Sequence, residues 1–262
     1  MISFTDTQLM GWLNGFLLPF FRILALMSSA PLLSTRSVPV RLRIGLSALI
    51  AMMVVLPPES TAASSLNSAQ GLGLIAQQVL IGLSIGFAAK LIFASFEMAG
   101  EIVGLQMGLS YAGFFDPQSG TANAVGRTFS TLSLLSFVTL NGPLLLVGVI
   151  LNSFAVFPIV EITSTSQGAA SGSYPWSLRE LVSMGASVFA TAVSLALPFI
   201  AMLLLVNLIL GVVSRIAPQL NIFAVGFPVT LGSGLVLLAA GLPLIETPLN
   251  QLTGQFLLLL VR

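Results

Sequence analysis

The stretch that decides the fold is "SMGASVFATAVSLALPFIAMLLLVNLILGVV", residues 183–213, which contains no charged side chain. A run of this length and composition predicts a helix that is buried in lipid or in protein. At 1.5 Å per residue the helix extends for ~45 Å or more, whereas the hydrocarbon core of a bilayer is ~30 Å thick. Two interpretations remain open: a tilted helix in a bundle, or a helix that packs mostly against other protein chains.

The whole chain has the same apolar character. Of its 262 residues, 56% are hydrophobic and 6% are charged, whereas a soluble domain carries roughly 25% charged residues. This composition predicts an all-α membrane protein. The net charge of +1 and the absence of a basic run leave no surface for nucleic acid, so we expect no such partner.

The residue types that are missing exclude most enzyme classes. The chain has no Cys and no His, which removes thiol nucleophiles, imidazole bases, serine triads and Cys/His metal clusters. The only aspartates, Asp6 and Asp116, lie outside the predicted spanning helices and form no protease dyad. No glycine-rich loop ends in Lys, so a P-loop is absent. We expect neither enzymatic activity nor a cofactor.

Six stretches are predicted to form long hydrophobic helices arranged as hairpins: about 10–30, 44–57, 72–103, 128–151, 183–213 and 222–243. Two Ser/Thr/Gly/Pro-rich linkers separate them, residues 57–70 and 163–177. We expect a single unit over residues 1–262, with an N-terminal part (1–180) and a C-terminal helical hairpin (181–262). The positive-inside rule predicts that the arginine-bearing loops face the cytoplasm and the N-terminus lies outside.

A second stretch, "GLQMGLSYAGFFDPQSG" at residues 104–120, fits neither a spanning helix nor a solvated loop. Irregular backbone at membrane depth is tolerated only where it is buried in protein or lines a cavity. The stretch is therefore predicted to be re-entrant, either as a hydrophobic plug in a pore or as permanent core packing. The residues concerned are Tyr111, Phe114, Phe115, Asp116 and Pro117.

Glycines recur at four-residue spacing in the same part of the chain. Gly100, Gly104 and Gly108 are predicted to share one helical face, and Gly82 and Gly86 repeat the spacing earlier. Such faces let another backbone approach closely. Helix packing within the chain and packing against another subunit are both open.

Charged side chains interrupt two of the apolar segments. Lys90, Glu97 and Glu101 lie close to one helical stripe, for which internal ion pairing that includes Arg127, an intersubunit contact or channel lining, and a proton relay are the alternatives. Arg22 follows Pro19, and we interpret it as a snorkelling arginine beside a kink. Arg215, Pro218 and Gln219 form a predicted cytoplasmic-side turn, with docking of a partner as its functional interpretation.

Three motifs resemble one known family. They are "GEIVGLQMGLSYAGFFDP" (100–117), "RIAPQLNIFAVGFPVTL" (215–231) and, more weakly, "RILALMSSAPLLS" (22–34). In this order and at this spacing the chain resembles the type III secretion export-gate family of the bacterial flagellum over nearly its whole length.

The resemblance implies a non-enzymatic subunit of the gate that exports unfolded flagellar proteins across the inner membrane, within the flagellar basal body. It implies FliP, FliQ and FlhB as partners in a hetero-oligomeric helical ring. Residues 1–180 would resemble the FliP fold, and residues 181–262 the FliQ fold.

The family's plug loop corresponds to residues 106 to about 125. It implies plug roles for Met107, Tyr111, Phe114 and the residues that follow, although Tyr111 stands where phenylalanine is expected. A different class of function, a small-solute secondary transporter, would use Lys90, Glu97 and Glu101 as its midplane site. A scaffold that nucleates the ring is the third alternative.

Overall fold

The computed structural model describes residues 6–35, 38–54, 69–109, 123–159, 178–217 and 225–241. These ranges contain seven helices and no strand, so the predicted all-α membrane fold is confirmed. The helices are α1 (Asp6–Ser29), α2 (Val40–Met53), α3 (Ala69–Gln106), α4 (Ala124–Thr139), α5 (Gly142–Val156), α6 (Leu178–Ile216) and α7 (Val225–Gly241).

The fourth predicted segment is not one helix, and that prediction is wrong. The chain bends by 71° between α4 and α5. Asn141 adopts a positive φ of 58°, in the left-handed region that Asn tolerates better than most side chains. Pro143 then lies in the first turn of α5, where its missing N–H costs nothing. Continuous hydropathy over 128–151 concealed this break.

Among the described residues, three helices are long and apolar enough to cross a membrane, or four if the bent α4–α5 pair makes one crossing. The longest are α3 with 38 residues and α6 with 39. By contrast, α2 has 14 residues and spans only ~21 Å. The excess length predicted for residues 183–213 is therefore present in α6.

The chain divides into two compact units. Unit 1 contains α1, α2, α3 up to Lys90, and α5 from Pro143. In it α1 packs against α2. Its largest fully buried apolar side chains come from α1, α3 and α5: Leu18, Ile23, Leu26, Ile81, Ile85 and Ile150.

Unit 2 contains α3 from Leu91, α4, α6 from Ser183, and α7. Its core is a continuous apolar cluster contributed by α3, α4 and α6, with leucines of α7 packed against it. Aromatic rings meet edge to face in this unit, with centroids 5.2 Å apart for Phe93 and Phe137 and 5.9 Å apart for Phe129 and Phe199. Such geometry adds to the energy of area burial.

Candidate functional site

Arg22 is the centre of a buried polar cluster in unit 1. It is 1% exposed, so the interpretation that it snorkels to the surface is wrong. Its Nε donates to Gln78 Oε1 (2.7 Å), Nη1 to the Ser153 carbonyl (3.0 Å) and Nη2 to the Phe157 carbonyl (2.8 Å). Its Cζ lies 4.3 Å from the centroid of the Phe154 ring.

This cluster has a physical reason that sequence reasoning missed. The carbonyls of Ser153 and Phe157 lie at the C-terminal end of α5, where helix carbonyls lack internal partners and the helix dipole favours a cation. Arg22 satisfies these groups from α1 and ties Gln78 of α3 to them. A polar residue interrupts each of the three apolar segments concerned, at Arg22, Gln78 and Ser153. This coincidence was the signal in the sequence that could have predicted the cluster.

The first glycine pair brings α1 against α3 within unit 1. A Cβ added at Gly82 would meet the Arg22 carbonyl oxygen and lie 2.9 Å from Ala25 Cβ. A Cβ at Gly86 would meet Ser29 Oγ and lie 3.0 Å from the Leu26 carbonyl oxygen. Both positions are tighter than a side chain tolerates, so α1 and α3 meet here within one chain.

The second glycine series brings α3 against α4 within unit 2. A Cβ at Gly100 would lie 2.8 Å from Gly126 Cα, and one at Gly126 would lie 2.9 Å from Glu101 Cγ. A Cβ at Gly104 would occupy the position of the Asn123 side-chain amide. Two backbones therefore touch at a crossing that only glycine permits.

Gly108 differs from the expectation that it shares this face, because α3 ends at Gln106. Gly108 has a φ of 83°. Its N–H donates to the Leu105 carbonyl and that of Leu109 donates to the Gly104 carbonyl, at 3.0 and 3.1 Å. This is a Schellman ending, in which a residue of left-handed conformation stops the helix.

Met107, predicted to belong to the plug, lies in the unit 2 core and is fully buried. Its thioether covers Gly234 of α7, where an added Cβ would lie 2.6 Å from Met107 Cε. Its carbonyl accepts a hydrogen bond from Thr230 Oγ1 at 3.4 Å. Met107 therefore fixes the chain to the core directly after the end of α3.

An apolar cavity of about 320 Å³ adjoins the ends of α3 and α4 in unit 2. Met107, Leu109 and Ala124 line it beside residues of α4 and α7, and Thr128 is its only polar lining residue. The predicted plug residues Tyr111, Phe114, Phe115, Asp116 and Pro117 lie outside the described residues. Their roles stay predictions.

The charged residues singled out from the sequence are all exposed in their own units: Lys90 in unit 1, and Glu97, Glu101, Arg127 and Arg215 in unit 2. Within the described residues of unit 2, no ion pair joins Glu97 or Glu101 to Arg127. The alternative roles given for these charges stay predictions. Pro218 and Gln219 lie outside the described residues.

Much of the apolar surface of α6 is exposed. Few side chains of Val182–Ile216 are buried: Ala192, Leu195, Ala196, Phe199 and Leu203. Large side chains stay at least half exposed along the helix, and they include Phe189, Leu197, Leu205, Leu208, Ile209 and Ile216. In a folded chain, an apolar surface of this extent marks contact with lipid or with another protein.

Known proteins with similar sequences give this geometry its context. The family described as "Bacterial export proteins, family 1" matches residues 13–256. Flagellar biosynthetic protein FliR of Escherichia coli (strain K12) is 40% identical over 263 residues, covering 99% of this chain and 96% of that protein. The protein of the same name from Pectobacterium carotovorum subsp. carotovorum is 40% identical over 248 residues, covering 94% and 90%.

A more distant relative matches over most of its length as well. Flagellar biosynthetic protein FliR of Bacillus subtilis (strain 168) is 29% identical over 225 residues, which covers 86% of this chain and 84% of that protein. The resemblance seen in three motifs thus extends over the helices of both units. The chain belongs to family 1 of the bacterial export proteins, as a non-enzymatic membrane component of the flagellar export apparatus.

Proposed function

We propose that the chain forms part of the wall of the flagellar protein export gate in the bacterial inner membrane, within the basal body. In this proposal it assembles with FliP, FliQ and FlhB into a hetero-oligomeric ring through which unfolded flagellar proteins pass. Residues 1–180 and 181–262 correspond to FliP-like and FliQ-like parts of that ring.

The observation that carries the proposal is the length of apolar surface on α6. The window Val182–Ile216 contains 35 residues and extends for about 52 Å. Fitting 52 Å into a hydrocarbon core of ~30 Å requires a tilt of about 55°, beyond the 0–40° range of membrane helices. A tilted bundle in lipid therefore leaves apolar side chains uncovered, whereas neighbouring protein chains cover them at any length.

The plug is the finer part of the proposal. Tyr111, Phe114 and Phe115 provide the bulk that excludes water, while Asp116 and Pro117 interrupt helical structure. Support comes from the residues on either side, since Met107 is fixed in the core and Leu109 and Ala124 line an apolar cavity. Apolar surroundings at both ends favour a segment that excludes water at rest.

One experiment tests the plug directly. Tyr111, Phe114 and Phe115 are replaced together with Ala, and passive ion leakage across the inner membrane is measured with secretion blocked. We expect leakage to rise at least several-fold in cells that retain the intact complex. The matched control is Phe87→Ala, an exposed aromatic in unit 1. Leakage equal to that of the control would show that the segment is packing and not a plug.

The transporter alternative makes a different prediction. It requires a site built from Lys90, Glu97 and Glu101 that works in an isolated chain or a homodimer, and it predicts that Glu97→Gln abolishes uptake. All three side chains are exposed, which does not favour an enclosed site. Reconstitution of the purified chain in liposomes, with solute uptake as the readout, separates the two functions.

A further inference from the structure

One side of α2 is buried in unit 1, and the opposite side is exposed and apolar. The buried side carries Ser47, Ile50 and Ala51. On the exposed side, large apolar side chains recur at helical spacing and form what we call the α2 stripe: Leu42, Leu46, Leu49 and Met53. These side chains are 39–79% exposed. An apolar surface of this kind requires cover by lipid or by protein.

The length of the α2 stripe matches one leaflet of a bilayer. From Leu42 to Met53 the helix rises about 16 Å, whereas half of a ~30 Å hydrocarbon core is ~15 Å. The apolar window of α6 is about three times as long. Because an acyl chain occupies a single leaflet, it follows the α2 stripe from end to end. The length therefore favours lipid over a second protein helix as the cover of α2.

The neighbouring helix α1 places the start of α2 near the surface of the bilayer. Its apolar span, Gly11–Ser29, contains 19 residues and extends for about 28 Å, close to the ~30 Å core. Trp12 lies at the first end of this span and is 59% exposed, as is typical of aromatic rings at a membrane interface. At the second end, residues 30–39 connect α1 to α2. The start of α2 therefore lies at the depth of the lipid headgroups.

Two arginines lie at this headgroup end of α2. Arg41 is exposed and Arg43 is partly exposed. Nη2 of Arg43 donates to the Thr35 carbonyl (2.7 Å) and to the Val38 carbonyl (3.2 Å), so its guanidinium is held beside the connection. Among the side chains that the structure describes in unit 1, none is acidic. This end of α2 is therefore positively charged, and guanidinium groups bind phosphate through paired N–H donors.

We propose that the α2 stripe and its two arginines bind an anionic phospholipid of the cytoplasmic leaflet. The phosphate lies against Arg41 and Arg43, and one acyl chain lies along the stripe. The positive-inside rule assigns this arginine-bearing end to the cytoplasmic side, where each basic residue strengthens binding to an anionic leaflet by a factor of roughly five. The site concerns lipid contact and does not depend on the proposed gate function.

The first test places a fluorescent label on the α2 stripe. The chain has no native Cys, so Leu49→Cys is labelled with bimane in the intact complex, and the unmodified complex supplies the background. Each complex is reconstituted into phosphatidylcholine vesicles that contain an equal, small share of brominated phosphatidylglycerol or brominated phosphatidylcholine. Brominated lipids quench a label that they touch. We expect brominated phosphatidylglycerol to quench several-fold more strongly.

A label on α3 provides the matched control. Leu80 is an exposed leucine of unit 1, and it lies two residues before Gly82, which meets the Arg22 carbonyl within the span of α1. Leu80→Cys therefore reports lipid at a middle depth of the bilayer, as Leu49→Cys does. We expect the two brominated lipids to quench the label at this position equally.

The second test changes the charge at the headgroup end. Arg41→Gln should lower the preference for phosphatidylglycerol at position 49 about fivefold, whereas Arg41→Lys keeps the charge and should retain most of it. Arg41 is the position to change because it is exposed. Arg43→Gln would also remove the bonds to Thr35 and Val38.

Three results would overturn the proposal. If neither lipid quenches the label at Leu49 in intact complexes, another protein chain covers α2. If both lipids quench it equally, α2 faces lipid but has no anionic site. If the preference for phosphatidylglycerol is the same in Arg41→Gln as in Arg41→Lys, the arginine does not hold the phosphate.

Discussion

The two halves of α3 pack by different means. In unit 1, α3 contributes Gln78 to a directional polar cluster around a buried cation and presents Gly82 and Gly86 to α1. In unit 2, it contributes apolar side chains to the core and presents Gly100 and Gly104 to α4. Glycines let another helix approach α3 closely in both halves, but only the first half also packs around a charged side chain, Arg22.

The buried polar residues sharpen this difference. Among the described residues, unit 1 buries Asn14, Arg22, Ser47, Gln78 and Ser153, whereas unit 2 buries Ser95, Ser133 and Thr230. All three hydroxyls of unit 2 donate to a carbonyl of their own helix, and such bonds do not link one helix to another. Only Thr230 also bonds outside its helix, to the Met107 carbonyl. Hydrogen bonds to a cation are strong and directional, so bonding geometry specifies the Arg22 cluster of unit 1, whereas unit 2 is specified mainly by shape.

The largest effect is expected from breaking the polar cluster. Arg22→Met keeps the volume but leaves Gln78 Oε1 and the carbonyls of Ser153 and Phe157 without their donor. We expect a loss of at least about 3 kcal/mol, because bonds to a charged group are worth ~1.5–3 kcal/mol each. Thermal unfolding of the purified complex measures it. Arg22→Lys should recover part of the loss, since an ammonium cannot reach all three acceptors; a Met variant as stable as wild type would contradict the comparison.

The next effect comes from overpacking the crossing in unit 2. Gly100→Leu places a side chain against the backbone of Gly126, which cannot yield as a flexible side chain does. We expect a destabilisation of about 1–3 kcal/mol in the same unfolding assay. Gly148→Leu is the matched control, because within the described part of the chain no atom lies within 4 Å of a Cβ there. Equal losses at both positions would show that the crossing is not close-packed.

A smaller effect is expected where α4 gives way to α5. Asn141→Val puts a β-branched side chain at a φ of 58°. We expect the free energy of unfolding, measured in the same assay, to fall by about 1–2 kcal/mol. Asn141→Gly should be neutral or slightly stabilising, because glycine adopts this conformation freely. A stable Val variant would mean that the bend does not depend on residue 141.

The smallest effect tests whether α6 is covered by a partner. No atom of the described residues lies within 4 Å of a Cβ at Gly211, and replacing a helical glycine with Ala stabilises by up to ~1 kcal/mol. Gly211→Ala should therefore stabilise the isolated chain in detergent. A loss of co-purifying gate subunits from the same variant would locate a close partner contact at this glycine; unchanged recovery would place Gly211 outside the interface.

Much of the fold was predictable because it depends on composition. Apolar runs identify α1, α3 and α6 without reference to any contact, and the excess length of α6 was visible before the structure. The start of α4 was missed by four residues, although Asn123 ahead of an apolar run is a recognised start signal. The expectation that Gly108 shares the face of Gly100 and Gly104 was wrong, because four-residue spacing suggests a continuous face whether or not the helix continues.

The sequence by itself determined that the chain is helical and apolar and that it lacks the Cys and His side chains of most catalytic sites. Its motifs identified the family. Only the tertiary structure decided that Arg22 is buried, that Asn123 and Leu109 meet at Gly104, and that α6 remains uncovered. Local hydropathy and residue spacing indicate only whether a helix is surrounded on average by apolar groups or by water. Contacts between residues distant in sequence depend on the three-dimensional path of the chain. In this fold that path brings hydrogen-bond acceptors to the buried guanidinium of Arg22, which hydropathy would place at the surface.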